Sequence, residues 1–262
     1  MSTNNAGLAE RSARAGGAFL REVACGPLSA LVVLGSGLAS ALDQWGTPQA
    51  RVRLGDIPGV KAPVALGHED ELRFYARSCG TVAVACGRTH LYEGEGPGAV
   101  VALAEAGASA GVQTAVLCNA NGCLRDWQLG EVMAIRDHLN FSGASPFATP
   151  EFVDVTGVWD TELTGQLEAV CDRSGIYCFM RGPEYQTRAE SRALSMLGAD
   201  CVGMSTVLEA ITLHARGVRV GGLSVVTDLS CAALPTTHEA VLEASKTGAA
   251  TVRRALDAVY PR

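Results

Sequence analysis

The chain has 262 residues, of which 48% are hydrophobic and 18% charged. That is enough to bury the core of one large α/β domain, and too apolar for a disordered chain. The 30 glycines follow no fixed period, which excludes a collagen-like chain, and 21 basic against 27 acidic residues give a net charge of −6, opposite in sign to a protein held mainly by nucleic-acid phosphates. The first 17 residues are polar and charged without an apolar centre, so they do not read as a secretory signal. No uncharged apolar run reaches the roughly 18 residues of a membrane span. Nine scattered cysteines lack any C-x-x-C spacing. They read as small buried thiols of a reducing cytoplasm rather than a disulfide framework or a zinc site. Lysine occurs only at 61 and 246, so cationic charge in a working site has to come from arginine, whose fork suits an oxyanion.

Short apolar or β-branched runs alternate with amphipathic segments. Helices are predicted over 7–24, 98–110, 161–174, 187–197, 206–216 and 238–260. Strands are predicted over 30–34, 81–86, 114–118, 132–135, 176–180 and 223–227. The small, polar stretch 141–149 reads as a loop of a length often tied to function. Alternating strands and helices imply one α/β domain over 1–262, with a mixed, mostly parallel central sheet flanked by helices on both sides. In such sheets ligands gather at the carboxyl ends of the strands.

The residues at those ends carry the chemistry. After the first strand, Gly35-Ser36-Gly37 allows a tight turn that offers a hydroxyl and N–H groups at the start of a helix. After the second, Arg88, His90 and Tyr92 alternate, so an extended segment points all three to one side, where arginine and histidine can hold an oxyanion; Glu93 can orient a neighbour. After the third, Asn119, Asn121 and Gly122 form a polar turn. Arg136, Asp137 and His138 follow the fourth and read as structural pairing or chemistry alike. After the fifth come Tyr185 and Gln186, an aromatic and an amide suited to a flat heterocycle, then Thr187 with Glu190 at the capping-box offset. Met204, Ser205 and Thr206 open another helix, and the last strand ends in Thr227 and Asp228. Together these suggest a site for an anion and a planar ring.

Eight segments in order, GSGL, GRTHLYEG, NANGCL, LGEVMAIRDHLN, GPEYQTRAE, GADCVGMSTVLEA, VVTD and HEAVL, resemble the trimeric purine nucleoside phosphorylases. The resemblance runs from about Leu31 to the final helix. It implies reversible phosphorolysis of a purine nucleoside to the free base and a pentose 1-phosphate, with inorganic phosphate as co-substrate and no metal or other cofactor. It places phosphate on Ser36, His68, Arg88, His90, Ser205 and the backbone N–H of Ala120. Tyr92 and Met204 would meet the sugar and His238 its 5′-hydroxyl. Tyr185 would pack on the base, Val202 beneath it, and Gln186, Thr227 and Asp228 would line its edge. His90, Gln186 and Asp228 would be the catalytic groups. Phe152 would enter the neighbouring subunit's site, which implies a homotrimer acting on small molecules, away from nucleic acid and membrane.

The family pattern breaks at three places. Its usual glutamate at the base edge is Gln186, its usual asparagine near N7 is Asp228, and its Ala-Ala-Gly-Gly turn is replaced around Asn121. Gln186 can donate to N1 of a 6-aminopurine and an ionised Asp228 can accept from its amino group, whereas a protonated Asp228 would donate to N7. Thr-Asp is also found in the related methylthioadenosine phosphorylases. The expectation is therefore a 6-aminopurine preference, with His238 favouring a 5′-hydroxyl over a methylthio group. The alternatives are a methylthioadenosine phosphorylase-type enzyme and a catalytically silent nucleoside-binding relative, which would have no use for a phosphate cradle. A nucleoside hydrolase would need a carboxylate-rich calcium site, and the sequence has no such cluster.

Overall fold

The computed structural model describes residues 2–231 and 237–262, with side chains from Gly7 onward. Nine strands and six α-helices are described. The strands are β1 (Leu28–Val33), β2 (Ala50–Val52), β3 (Leu72–Arg77), β4 (Gly80–Ala85), β5 (Thr114–Cys123), β6 (Val132–Asn140), β7 (Arg173–Phe179), β8 (Cys201–Gly203) and β9 (Arg219–Leu229). The helices are α1 (Ser2–Val23), α2 (Pro97–Ala110), α3 (Thr161–Glu168), α4 (Arg188–Met196), α5 (Val207–Ala215) and α6 (His238–Val259).

The strands form one mixed sheet in the order β2-β3-β4-β1-β5-β8-β7-β6-β9. β9 also pairs with β5, so the last five strands close into a ring. Five of the nine pairings are parallel. β1 shows why its run is apolar throughout. Leu31 and Val33 pack into a core shared with α1, α2 and α5, through Leu20, Val100 and Leu208. Ala30, Val32 and Leu34 pack into a second core with α6, through Val252 and Leu256. Both faces are covered, so the period-2 alternation of a half-exposed strand is erased.

Local chemistry explains most element ends. Pro97 opens α2 and Gly111, at φ +98°, closes it, the usual asymmetry of proline at the start and glycine past the end. Thr187 caps α4, and its hydroxyl and N–H are met by the Glu190 carboxylate at 2.8 and 2.7 Å, as the capping-box spacing predicts.

Several expectations are corrected. The predicted helix over 161–174 stops at Glu168, and residue 173 already pairs with Met133 as the first residue of β7; Asp172 marks the change by accepting Val132 N–H at 2.9 Å. Residues 119–122 are not a turn but the distal half of β5, paired with β9 as far as Cys123. Their polarity misleads, because Asn119 and Asn121 are buried and bonded to other buried side chains. The segment after Gly37 forms only a 3-10 helix, Leu38–Leu42. Strands β2, β3 and β8 have no counterpart in the prediction. All nine cysteines are free, and Cys25, Cys79 and Cys231 are exposed rather than buried.

Two features of β5 position the site. On one side it pairs with β1 over residues 114–117 and with β8 at 122–123. Among the described residues no strand covers 118–121 on that side. This is a crevice where neighbouring strands part, the usual ligand position in open α/β sheets. On its other side β5 pairs with β9, and the register jumps so that Asn121 faces Val226 while Gly122 faces Asp228. Thr227 is the extra residue of a bulge, a device that re-aims the side chains beyond it.

Candidate functional site

One cavity opens at this crevice, and every site residue expected from the sequence except Phe152 lines it. Segments from the ends of β1, β4, β5, β7, β8 and β9 and the start of α6 converge there. The loop 141–149 does not; residues 146–149 line a separate groove beside α1 and α2. Of the 136–138 cluster, His138 accepts the Trp159 indole N–H at 3.1 Å, and none of the three lines the cavity.

Gly35 lets β1 end against β5: a Cβ there would lie 2.8 Å from the Asn119 Cα. Ser36 follows, and its hydroxyl lies 2.9 Å from His68 Nε2. His68 Nδ1 accepts the Arg88 backbone N–H at 3.3 Å, which leaves the ring proton on Nε2, donating to Ser36. Ser36 therefore keeps its own proton for another acceptor. Burial, followed by the nearby His90, Arg88 and His238, holds the His68 pKa well below the ordinary histidine value, so the imidazole is neutral.

Arg88 is almost wholly buried. Its guanidinium meets Glu209 at 3.2 Å and donates to the Cys118 carbonyl at 2.5 Å and the Val33 carbonyl at 3.4 Å. The expected cation is present, but Glu209 balances it, and both side chains are out of water. Sequence reading missed Glu209. Its signal was Thr206-x-x-Glu209, the same box as in α4: the Thr206 N–H donates to the carboxylate at 3.1 Å. Glu209 thus caps α5 and pairs with Arg88 at once.

His90 is buried, with Nδ1 3.0 Å from Glu93 and its backbone N–H donating to the same carboxylate oxygen at 2.8 Å. Glu93 orients its neighbour as expected. Burial lowers the His90 pKa, and the Glu93 hydrogen bond opposes it without reversing it. Tyr92 is in a 3-10 turn, Leu91–Glu93, rather than on an extended strand, and stacks on His90 with ring centres 4.7 Å apart. Burial, then Glu93, pushes its hydroxyl pKa up to about 12, so it stays protonated.

The β8–α5 junction brings Met204 and Ser205 to the cavity beside the buried Val202, with the buried Thr206 behind them. Thr206 has φ +78°, a costly conformation for a β-branched residue and one that concentrates at functional sites. It is held by Glu209 and by the Asn119 side-chain amide, 2.9 Å from its hydroxyl. At the far end, the Ser230 hydroxyl donates to Asp228 at 2.7 Å and Thr227 to the Asn121 carbonyl at 3.0 Å. Tyr185 stands half exposed at the mouth. His238 Nε2 lies 2.8 Å from the Leu66 carbonyl, so that nitrogen carries a proton and donates, which leaves Nδ1 to face other groups. Phe152 is fully exposed, outside the cavity of its own chain.

Comparison with known proteins gives the family. Residues 31–260 match the model of the phosphorylase superfamily. A purine nucleoside phosphorylase of Mycobacterium tuberculosis is 42% identical over 229 residues, covering 85% of this chain and 84% of the relative. One from Cellulomonas is 40% identical, covering 82% and 80%. The chain belongs to the purine nucleoside phosphorylase family. The fold of this phosphorylase also superposes on a Schistosoma mansoni purine nucleoside phosphorylase, isoform 2, with TM-score 0.84 at 23% identity, over 94% of each chain. A second S. mansoni structure, solved with adenosine, gives TM-score 0.83 at 24% identity, over 94% of this chain and 95% of that one. Phosphorylases of this family are pentosyltransferases, and the single mixed α/β architecture expected from the sequence is the one found. No described helix is long and apolar enough to cross a membrane.

Proposed function

We propose that this chain carries out reversible phosphorolysis of a purine nucleoside in the β5 crevice. Phosphate lies at the end formed by Ser36, His68, Arg88, His90, Ser205 and the Ala120 N–H, and the base lies at the end formed by Tyr185, Gln186, Val202, Thr227 and Asp228. The observation that carries this is the pairing of two ends in one cavity: a cluster of hydroxyl and imidazole groups around one buried arginine, opposite an aromatic, an amide and a carboxylate. Glu209 offsets the arginine charge, so phosphate is held mainly by oriented donors. Tyr92 and Met204 would bound the sugar between the two ends, with His238 Nδ1 meeting its 5′-hydroxyl.

The reaction proceeds as the glycosidic bond stretches and the sugar gains oxocarbenium character. Phosphate on the opposite face stabilises that charge and then attacks C1′, while the base leaves with negative charge growing on its ring. Donors and dipoles already in place supply the barrier reduction, because they need no reorganisation as charge develops. Neither step draws on a metal or an organic cofactor.

Gln186 and Asp228 favour a 6-aminopurine: the amide donates to N1, and the carboxylate, steered by Ser230, accepts from the amino group. The fully exposed Phe152 and the exposed Val64 and Leu66 support a homotrimer in which Phe152 closes a neighbour's site. The free thiols fit a reducing cytoplasm, and net charge −6 fits small-molecule partners rather than nucleic acid.

Base release from adenosine, inosine and guanosine, with and without added phosphate, tests the reading. Phosphate-dependent release led by adenosine is expected. Release without phosphate, or none at all, would refute it. Asp228→Asn combined with Gln186→Glu should move preference towards inosine and guanosine by at least tenfold, since mis-set hydrogen bonds in a base pocket discriminate strongly. An unchanged adenosine-to-inosine ratio would show that these positions do not choose the base.

A further inference from the structure

A continuous line of buried side chains runs from β5 and β9 to the phosphate end. Asn121 Nδ2 donates to the Ser224 hydroxyl at 2.7 Å, and that hydroxyl donates to Asn119 Oδ1 at 2.6 Å. Asn119 Nδ2 donates to the Thr206 hydroxyl at 2.9 Å, which lies 3.1 Å from the Ser205 hydroxyl. All five residues are at most 7% exposed. With Thr206 accepting from Asn119, the line runs on in the same sense when the Thr206 hydroxyl donates to Ser205 Oγ. Ser205 is then left with its proton free to point away from the line. The opposite order, with both amides reversed, would spend the Ser205 proton on Thr206 and turn lone pairs towards any bound anion. In the order described, the one atom of the line without a partner among the described residues is Asn121 Oδ1, at the end farthest from Ser205.

We infer that Asn121, Ser224 and Asn119 are positioning residues that set the direction of this hydrogen-bond line, so that Ser205 meets phosphate as a donor. This rests on Ser205 being a phosphate ligand. The orphan acceptor at Asn121 fits the role. A buried polar atom without a partner is costly, and the reverse order would leave the Asn121 NH2 group, with two unmet protons, in the same place, so an orphan acceptor is the smaller of the two costs. Chains of buried hydrogen bonds polarise one another. The register of β5 and β9, which pairs Asn119 directly with Ser224, makes the line a consequence of the strand pairing. The three polar residues are unusual inside otherwise apolar runs.

The test compares Ser205→Ala, Ser224→Ala and Asn121→Ala in phosphorolysis of adenosine and inosine, with melting temperature measured with and without inorganic phosphate. Ser205→Ala should raise the phosphate KM about 30-fold, as expected for loss of a hydrogen bond to a charged group. Ser224→Ala should raise it about fivefold and Asn121→Ala about threefold, each with the nucleoside KM within about twofold of the parent. The phosphate-induced rise in melting temperature should shrink in all three. A merely structural role would lower melting temperature equally with and without phosphate and leave the phosphate KM alone; that result for Ser224→Ala, with Ser205→Ala still impaired, would overturn the line but not the phosphate site. An unchanged phosphate KM in Ser205→Ala would overturn both. Should Ser224→Ala fail to fold, Asn121→Ala decides, since it removes the orphan atom; an unchanged phosphate KM there refutes the inference.

Discussion

Replacing Glu209 by glutamine isolates the balance of charge beneath the phosphate site. Both carboxylate oxygens lie near Arg88 Nε, at 3.3 and 3.2 Å, and the second also accepts the Thr206 N–H at 3.1 Å. If the glutamine oxygen keeps the Thr206 bond, its amide NH2 faces Arg88 Nε, donor against donor, and a guanidinium with almost no exposed surface loses its counter-charge. Removing one partner of such a buried pair costs about 3–5 kcal/mol. At roughly 2–4 °C per kcal/mol for a chain of this size, the melting temperature without phosphate should fall by about 10 °C. Phosphate supplies the missing negative charge, so the variant should gain more from it than the parent. A tenfold tighter affinity would return about 1.4 kcal/mol at saturation. Calorimetric melting of both proteins in a phosphate-free buffer and across a phosphate series measures this. A fall below about 2 °C, or an equal phosphate-induced rise in both proteins, would refute the argument that Arg88 faces phosphate with Glu209 as its resting partner.

Two further outcomes are expected. The His68 pKa in the folded state lies below its unfolded value, so between the two the unfolded chain binds the extra proton. Stability should therefore be level above about pH 7 and fall as pH drops through the unfolded value near 6.5. His68→Gln should make the melting temperature fall less steeply from pH 7.5 to 5.5; a slope equal to the parent's would count against a buried neutral His68. Phe152→Ala should raise the nucleoside KM about tenfold while leaving the melting temperature within about 2 °C, because the ring is fully exposed among the described residues. Unchanged kinetics would remove Phe152 from any site.

The strand-end chemistry was legible because the residues that bear it follow apolar runs that only a covered sheet accommodates. Arg88, His90, Ser205 and Asp228 could be placed near one another from that alone. Other elements hid for physical reasons. β8 has three residues, too few to show a period. β3 carries Arg73, whose carboxylate partners Glu69 and Glu71 come from the same short charged segment, so it reads as surface. Asn119 and Asn121 are ordinary turn formers, and only their pairing with Ser224 and Val226 of β9 makes them strand residues. Such pairings span about a hundred positions, and single-sequence periodicity is blind to them. The boundary of α3 failed for a similar reason, since Arg173 is drawn into the sheet by β6 rather than by its own neighbours.

The bulge at Thr227 has a consequence for how this family member could change its choice of base. Strand side chains alternate between the two sides of a sheet, so one inserted residue exchanges inside for outside for everything downstream. Closing the bulge, with Thr227 taken into the ladder opposite Gly122, would turn the carboxylate at 228 to the other side of the sheet, with no change in the residues on offer. Selectivity at this edge is thus written partly in the counting of the chain, and evolution can alter it by a step in phase as readily as by a change of letter.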